Sequence, residues 1–282
     1  MVVDDPVDDD SQEVAAVVGS RPYAVRHISR AERGVSAARN AGWRAAQAPL
    51  VMFLGDDIVA APDLLERHLV RHERDGGPLV GVLGHVDWHR ELDITPFMRW
   101  LEHGIQFNYP SIAGDEAHWG HFYTANISLP RAALELVGGF DEQRFPFLYE
   151  DLDLGERLFA RGFRLLYEPA ARAEHWHQTT IDEWRGRMAA TARAEHAWVT
   201  LHPELPPYFR ELMAEAADRP PSNGRAARLV GVVPRDAPWL GRRVWERADV
   251  WFRQQLAPAF LAAWDEVSRP AGGSAPAPPA AT

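Results

Sequence analysis

The sequence predicts an α/β protein built on a mostly parallel sheet flanked by helices, with a helical extension at the C-terminal end. Leu50-Val51-Met52-Phe53-Leu54 is an unbroken apolar run that stops at Gly55-Asp56-Asp57. Such a run predicts a buried strand in the middle of a parallel sheet. Extended and helical patterns alternate on both sides of it, as strand–helix–strand units require. Beyond residue 178 the strand signals give way to long helical patterns.

Composition narrows the function classes. The 282 residues suit one large domain, or a domain with an appendage, and 46% apolar content supplies a core. No apolar run reaches the roughly 18–20 residues of a membrane span. The N-terminus turns acidic at Asp4-Asp5 without a basic stretch, so no signal peptide is expected. There is no cysteine, which excludes disulfides, thiolate zinc sites and a Cys nucleophile. All 30 basic residues are arginine, which excludes a Walker lysine or a Schiff base. A net charge of −10 argues against nucleic acid as partner. The default expectation is a soluble cytoplasmic protein.

In chain order, residues 2–3 end a strand and lead into Asp4-Asp5. Residues 12–19 suit a short helix and 23–28 a second strand. Ser36 is an N-cap candidate for a helix to about residue 47, with Ala37, Ala38, Ala41 and Ala45 at helical spacing. The apolar strand then delivers Asp56 and Asp57. Ligands in such sheets bind just past the carboxyl ends of strands. Two adjacent acids there either hold a hard divalent cation or form a solvated surface turn.

A helix over 63–74 carries His68 and His72 four apart, a zinc-compatible spacing that lacks the metalloprotease glutamate and a third ligand. Residues 79–86 read as a strand with two glycines. Residues 87–122 are irregular and rich in aromatics and histidine, among them Trp88, Trp100, Tyr109 and Trp119. They read either as a loop packed by its own rings or as a pocket wall suited to sugar faces. Asp151 or Asp153 is a candidate cap for the next helix, to about residue 161. A strand over 163–167 follows. If the later segment is extended, His175 and His177 share a face.

Five blocks then fall in order: Val-Val-Asp-Asp (2–5), Gly-Val-Ser-Ala-Ala-Arg-Asn-Ala-Gly (34–42), Phe-Leu-Gly-Asp-Asp (53–57), Ala-Asn-Ile-Ser through Gly-Gly-Phe-Asp-Glu (125–142), and Glu-Asp-Leu-Asp-Leu-Gly-Glu-Arg-Leu (150–158), with His175 after them. Over residues 2–177 the chain resembles the family 2 glycosyltransferases, inverting enzymes of the GT-A fold, a Rossmann-like α/β arrangement. The resemblance implies transfer of a sugar from a nucleoside-diphosphate-sugar donor to a hydroxyl acceptor, with Mn²⁺ or Mg²⁺ as cofactor.

It also implies roles. Asp4 or Asp5 would contact the donor's base, and Arg39 and Asn40 would sit near the nucleotide. Asp56 would lie nearer the ribose and Asp57 on the metal, joined by His175. Asp151, of the Glu150-Asp151 pair, would be the catalytic base, and Trp119 and Asn126 would line the acceptor side. Asp151 also reads as an ordinary cap, and His175 as a core histidine bonded to backbone.

Two departures stand out. Gly55-Asp56-Asp57 replaces the family's triple-Asp form. The strand and helix that precede Val-Val-Asp-Asp in the family are absent, which would leave strand edges unpaired. That predicts either a start codon assigned too late or a degenerate, non-catalytic homologue. A nucleotidyltransferase of similar fold would need a Gly-rich basic N-terminal loop, which is not visible. The expected organisation is a glycosyltransferase domain over 1–177, a helical extension over 178–267 and a disordered Pro/Ala/Gly-rich tail over 268–282. In the extension, Val244, Ala248, Phe252, Leu256 and Phe260 form an apolar stripe broken at Pro258. With its arginines, the stretch 242–264 reads as a packed helix, a membrane-surface helix at the inner face, or a dimer face.

Overall fold

The computed structural model describes residues 2–4, 16, 24–30 and 34–269. The side chain of Asp4, all of Asp5, most of the helix expected over 12–19 and the tail from 270 onward lie outside the described residues. The chain divides into two compact units, Met1–Thr179 and Thr180–Thr282.

In the first unit the elements are β1 (Val2–Asp4), β2 (His27–Ser29), α1 (Val35–Ala45), β3 (Leu50–Leu54), β4 (Ile58–Ala60), α2 (Leu64–Asp75) and β5 (Val80–Trp88). They continue with α3 (Pro96–Leu101), β6 (Glu116–Ala117), β7 (Asn126–Pro130), α4 (Arg131–Val137), α5 (Glu150–Phe159) and β8 (Arg164–His175). β1 and β2 pair in parallel as a separate two-stranded sheet. The main sheet runs β3-β7-β5-β8-β4, with β6 beside β8.

The α/β class and the flanking helices are as the sequence predicts; the strand directions are not. Within the main sheet only β5 and β8 pair in parallel among the described residues, while β7, β4 and β6 are antiparallel to their neighbours. β3 is not central either. Among the described residues it pairs only with β7. Its apolar run conceals an alternation: Val51 and Phe53 are buried and Leu54 is 43% exposed. An apolar run reports hydrophobicity, not strand order.

The pairings make β3, β5 and β8 point the same way. Their carboxyl ends, Leu54, Trp88 and His175, therefore lie at one edge of the sheet. The core beneath is built from Phe53, Leu83, Ile127, Leu129, Leu134, Leu154, Leu158 and Phe163. β5 and β8 slip register between Gly84 and His85. A side chain at Gly84 would overlap the Asn126 amide and the Ala171 carbonyl, so glycine is required by close approach.

The helix caps differ in detail from expectation. α1 starts after Gly34, and Ser36 instead donates its hydroxyl to the Phe145 carbonyl inside the core. α5 is preceded by Tyr149 in the left-handed region, φ 64°, so neither Asp151 nor Asp153 is its cap. Asp153 is buried in an ion pair with Arg157 at 2.6 Å.

The second unit holds α6 (Ile181–Leu201), α7 (Tyr208–Ala217) and α8 (Leu240–Val267). Thr180 and Glu183 close a reciprocal capping box at the start of α6. α8 continues through Pro258 instead of breaking there. Its stripe of Val244, Ala248, Phe252, Leu256 and Phe260 is buried inside this unit, where α6 and α7 pack on α8. That apolar face is thus already covered and does not present itself to a membrane surface. No described helix is long and apolar enough to cross a membrane.

Candidate active site

The turn after β3 presents Asp56 and Asp57 at the edge where β5 and β8 also end. Asp57 Oδ2 lies 3.0 Å from His175 Nε2, and the Asp57 carbonyl accepts from the Trp176 amide at 2.7 Å. The hydrogen bond from His175 lowers the Asp57 carboxyl below its usual range, against the opposing effect of burial. His175 itself is buried against Trp88 and Phe107, with ring centroids at 5.3 and 6.0 Å. Its Nδ1 has no hydrogen-bond partner among the described residues.

The start of α5 supplies the second set of acids. Asp151 is held by Thr124: the Thr124 amide donates to Oδ2 at 3.0 Å, and its hydroxyl lies 2.9 and 2.8 Å from Oδ1 and Oδ2. Arg39 of α1 donates to Glu150 at 2.7 Å and to Asp151 at 3.0 Å. Glu150 is buried, and burial, followed by the neighbouring Asp151, raises its pKa against the pull of Arg39. Burial would lower the Arg39 pKa, but Asp151, Glu150 and the nearby Asp56 outweigh it and raise it. One guanidinium therefore pairs with both acids at the head of α5 and also lies within the electrostatic reach of Asp56.

Two residues expected at the ligand are struts instead. Asn40 is fully buried and bonds the Phe140 backbone through both amide atoms, at 2.9 and 3.0 Å, while accepting from Trp43 Nε1 at 2.7 Å. It ties the Gly-Gly-Phe-Asp-Glu turn to α1, with its amide engaged by protein partners. Gly139 in that turn, at φ +77°, abuts Asn40 and Trp43 and leaves no room for a side chain. Asn126 is fully buried as well, bonded to His68 Nε2 and to the His85 and Ala171 carbonyls. It fastens the sheet. His68 and His72 both bond the Ser128 hydroxyl, at 2.7 and 2.8 Å, which accounts for their spacing without zinc. Trp119 is half-buried in a short turn, Trp119–His121, whose backbone packs on α5 at Gly155.

The sequence reading missed Thr124, whereas the pocket wall it offered over 87–122 lines a cavity of about 330 Å³ with Asp87, Trp88 and Tyr109, joined by His85 and Tyr167. Its aromatic content was visible in the sequence; its polar members on β5 and β8 were not.

The donor set bears on the expected metal. No group of three His, Asp or Glu side chains converges among the described residues. A Mg²⁺-type site needs only one or two protein ligands when substrate phosphates complete the shell. Ionised Asp57 beside His175, with an unpartnered buried ring nitrogen, fits that arrangement.

Residues 1–129 match the family model described as Glycosyl transferase family 2. Among curated proteins, the chain is 29% identical over 187 residues to validoxylamine A glucosyltransferase of Streptomyces hygroscopicus subsp. jinggangensis (strain 5008), covering 57% of this chain and 44% of that protein. It is 30% identical over 191 residues to pre-mycofactocin glycosyltransferase of Mycobacterium tuberculosis (strain ATCC 25618 / H37Rv), covering 61% of this chain and 36% of that protein. The chain thus spans less than half the length of these relatives. A crystal structure of S. aureus TarS 1-349 superposes with a TM-score of 0.46 at 11% identity, covering 94% of this chain and 80% of that one. Over residues 1–129 the chain is similar to glycosyltransferase family 2.

Proposed function

We propose that this chain transfers a sugar, with inversion, from a nucleoside-diphosphate-sugar donor to a hydroxyl acceptor. The observation that carries the reading is Arg39, whose guanidinium binds the Glu150-Asp151 pair while lying within the field of Asp56. On this reading the acid at the head of α5 and the acids at the end of β3 serve one site.

Asp151 accepts the proton of the acceptor hydroxyl. The hydroxyl oxygen then bonds to the anomeric carbon on the face opposite the diphosphate. The bond from that carbon to the phosphate oxygen breaks, and its electron pair leaves with the nucleoside diphosphate. One positioned carboxylate suffices for inversion, the same single-displacement logic as in inverting glycosidases. Asp57 and His175 would hold Mn²⁺ or Mg²⁺, which when bound supplies Lewis-acid neutralisation of the departing diphosphate. Thr124 and Arg39 occupy three of the roughly four lone-pair directions of the Asp151 carboxylate. The remaining direction is left for the incoming hydroxyl.

The test is a nucleotide-sugar screen with Mn²⁺ on the full chain, extended upstream where the gene allows, comparing wild type with Asp57→Ala and Asp151→Asn. Loss of a general base is worth roughly 10²–10⁴-fold, so Asp151→Asn should cut turnover by at least about 100-fold with donor affinity retained. Asp57→Ala should weaken donor binding in Mn²⁺. Undiminished turnover in both variants would refute the assignment.

A further inference from the structure

The segment that joins α7 to α8 closes into a small lobe. After a single turn, Ala227–Leu229, the Leu229 carbonyl accepts from the amides of Val232 and Val233 at 3.1 and 2.8 Å. Trp245 Nε1 on α8 donates to the Val233 carbonyl at 3.0 Å, and the Gly241 amide donates to the Ala237 carbonyl at 2.9 Å. A side chain at Gly241 would overlap the Pro234 and Arg235 carbonyls, so the loop lies directly on the first turn of α8.

The lobe has its own buried anchors, Ala227, Val230 and Val244, yet Val232 and Trp239 are each 75% exposed, and Leu229 and Leu240 are exposed as well. Trp239 is displayed against a backbone cost. Its φ of 48° and ψ of −33° lie outside the regions that bulky side chains adopt. Such an outlier persists only where its surroundings fix it, and it points to a function for the group it presents. These exposed residues are separate from the α8 stripe of Val244 to Phe260, which is covered.

The charge of the lobe is opposite to that of the chain. Residues 225–247 hold Arg225, Arg228, Arg235, Arg242, Arg243 and Arg247 against two acids, Asp236 and Glu246, whereas acids outnumber basic residues 40 to 30 overall. All six arginines are exposed. Arg235 lies over the Trp245 ring at 5.9 Å, and Arg242 pairs with Glu246 at 2.7 Å.

A projecting Trp among arginines suits the boundary between lipid headgroups and acyl chains. Neither half anchors a protein stably alone, but apolar insertion combined with a basic patch does. A second copy fits worse, because a two-fold contact would set each arginine patch against its own image. Side chains that project this far do not line a groove for a peptide.

We infer that the lobe 229–243 docks the chain on an anionic lipid surface, with Val232, Trp239 and Leu240 entering the headgroup layer and the arginines on lipid phosphates. The inference goes beyond the transferase reading and does not depend on it.

Vesicle flotation of the full chain tests it, with pure phosphatidylcholine against a mixture containing about 30% phosphatidylglycerol at about 0.1 M salt. The mixed vesicles should bind at least about tenfold more tightly than the neutral ones. Trp239→Ser should weaken that binding about tenfold, and Arg235→Gln and Arg243→Gln about fivefold each. Leu65→Ser, at an exposed apolar position on α2, should leave it unchanged. Trp239→Gly relieves the positive φ, so it should melt no lower than wild type while binding about tenfold more weakly, which separates lost docking from lost folding. The inference is overturned by equal binding to both vesicles or to neither, by Trp239→Ser floating as wild type does, or by weakened binding only in variants that melt early. Equal capture by polyglutamate, or a dimer in sedimentation equilibrium that Trp239→Ser dissolves, would also overturn it and assign the lobe to a protein partner.

Discussion

Thr124 shows how much of the site rests on a residue that carries no chemistry of its own. It is buried, and both its amide and its hydroxyl hold Asp151. Removing the hydroxyl while keeping the shape should free the carboxylate to rotate. Thr124→Val should lower kcat about tenfold, the rough worth of one hydrogen bond to a charged group, with donor Kd unchanged. Thr124→Ser should restore kcat; equal loss in both variants would mean that the residue only packs. The acids Asp56, Asp57 and Asp151 were legible as a set because their motifs are local. The partnership of Thr124 and Asp151 was not, since it joins a loop before β7 to a helix 27 positions later. Asn40 and Asn126 misled for the opposite reason. Both sit in blocks with functional neighbours, but a residue's type does not disclose whether folding spends its amide on the backbone.

At the scale of elements, α2 is clamped to β7 through histidines. His68 and His72 meet at the Ser128 hydroxyl, and His68 also bonds Asn126. Burial lowers the pKa of both, with Asn126 opposing it at His68 and Ser128 at His72. The folded state thus binds fewer protons than the unfolded chain just below the ordinary histidine value of 6.5. Their contribution to stability is fully present above that pH and is lost as the pH falls below it. His118 and the half-buried His121 shift the same way through loss of solvent. Urea unfolding at pH 5.5 and pH 7.5 should show a lower midpoint at the acid end. His72→Gln should narrow the difference; a midpoint that rises on acidification would contradict the assignment. The elements themselves were legible to within a few residues wherever periodicity was strong, as in α6, α7 and α8. Directions and neighbours in the sheet were not, because pairing depends on contacts between distant segments. Caps failed at α1 and α5, where backbone in the positive-φ region, at Gly34 and Tyr149, precedes the first turn.

For the whole molecule, the net charge of −10 sets a repulsive long-range field for an anionic donor. The local attraction supplied by Arg39 and by any bound cation acts at contact distance, where salt screens it little. The long-range repulsion is screened within about 10 Å at 0.1 M salt. Raising NaCl from about 20 to about 200 mM should therefore lower the donor KM, and a KM that climbs steeply would show that exposed cations govern capture. The same charge, with no lysine and no cysteine, already closed off several chemistries before any fold was known.

By itself the sequence determined the α/β class, the family resemblance, the acids at the end of β3 and the acids at the head of α5, because each is written in contiguous residues whose spacing carries the signal. Tertiary structure alone decided that the sheet is mixed, that Arg39 pairs with both acids at the head of α5, that Asn40 and Asn126 are struts, and that β5 and β8 help enclose a cavity beside His175. Those features depend on which distant segments pack together, and packing is a property of the folded chain as a whole.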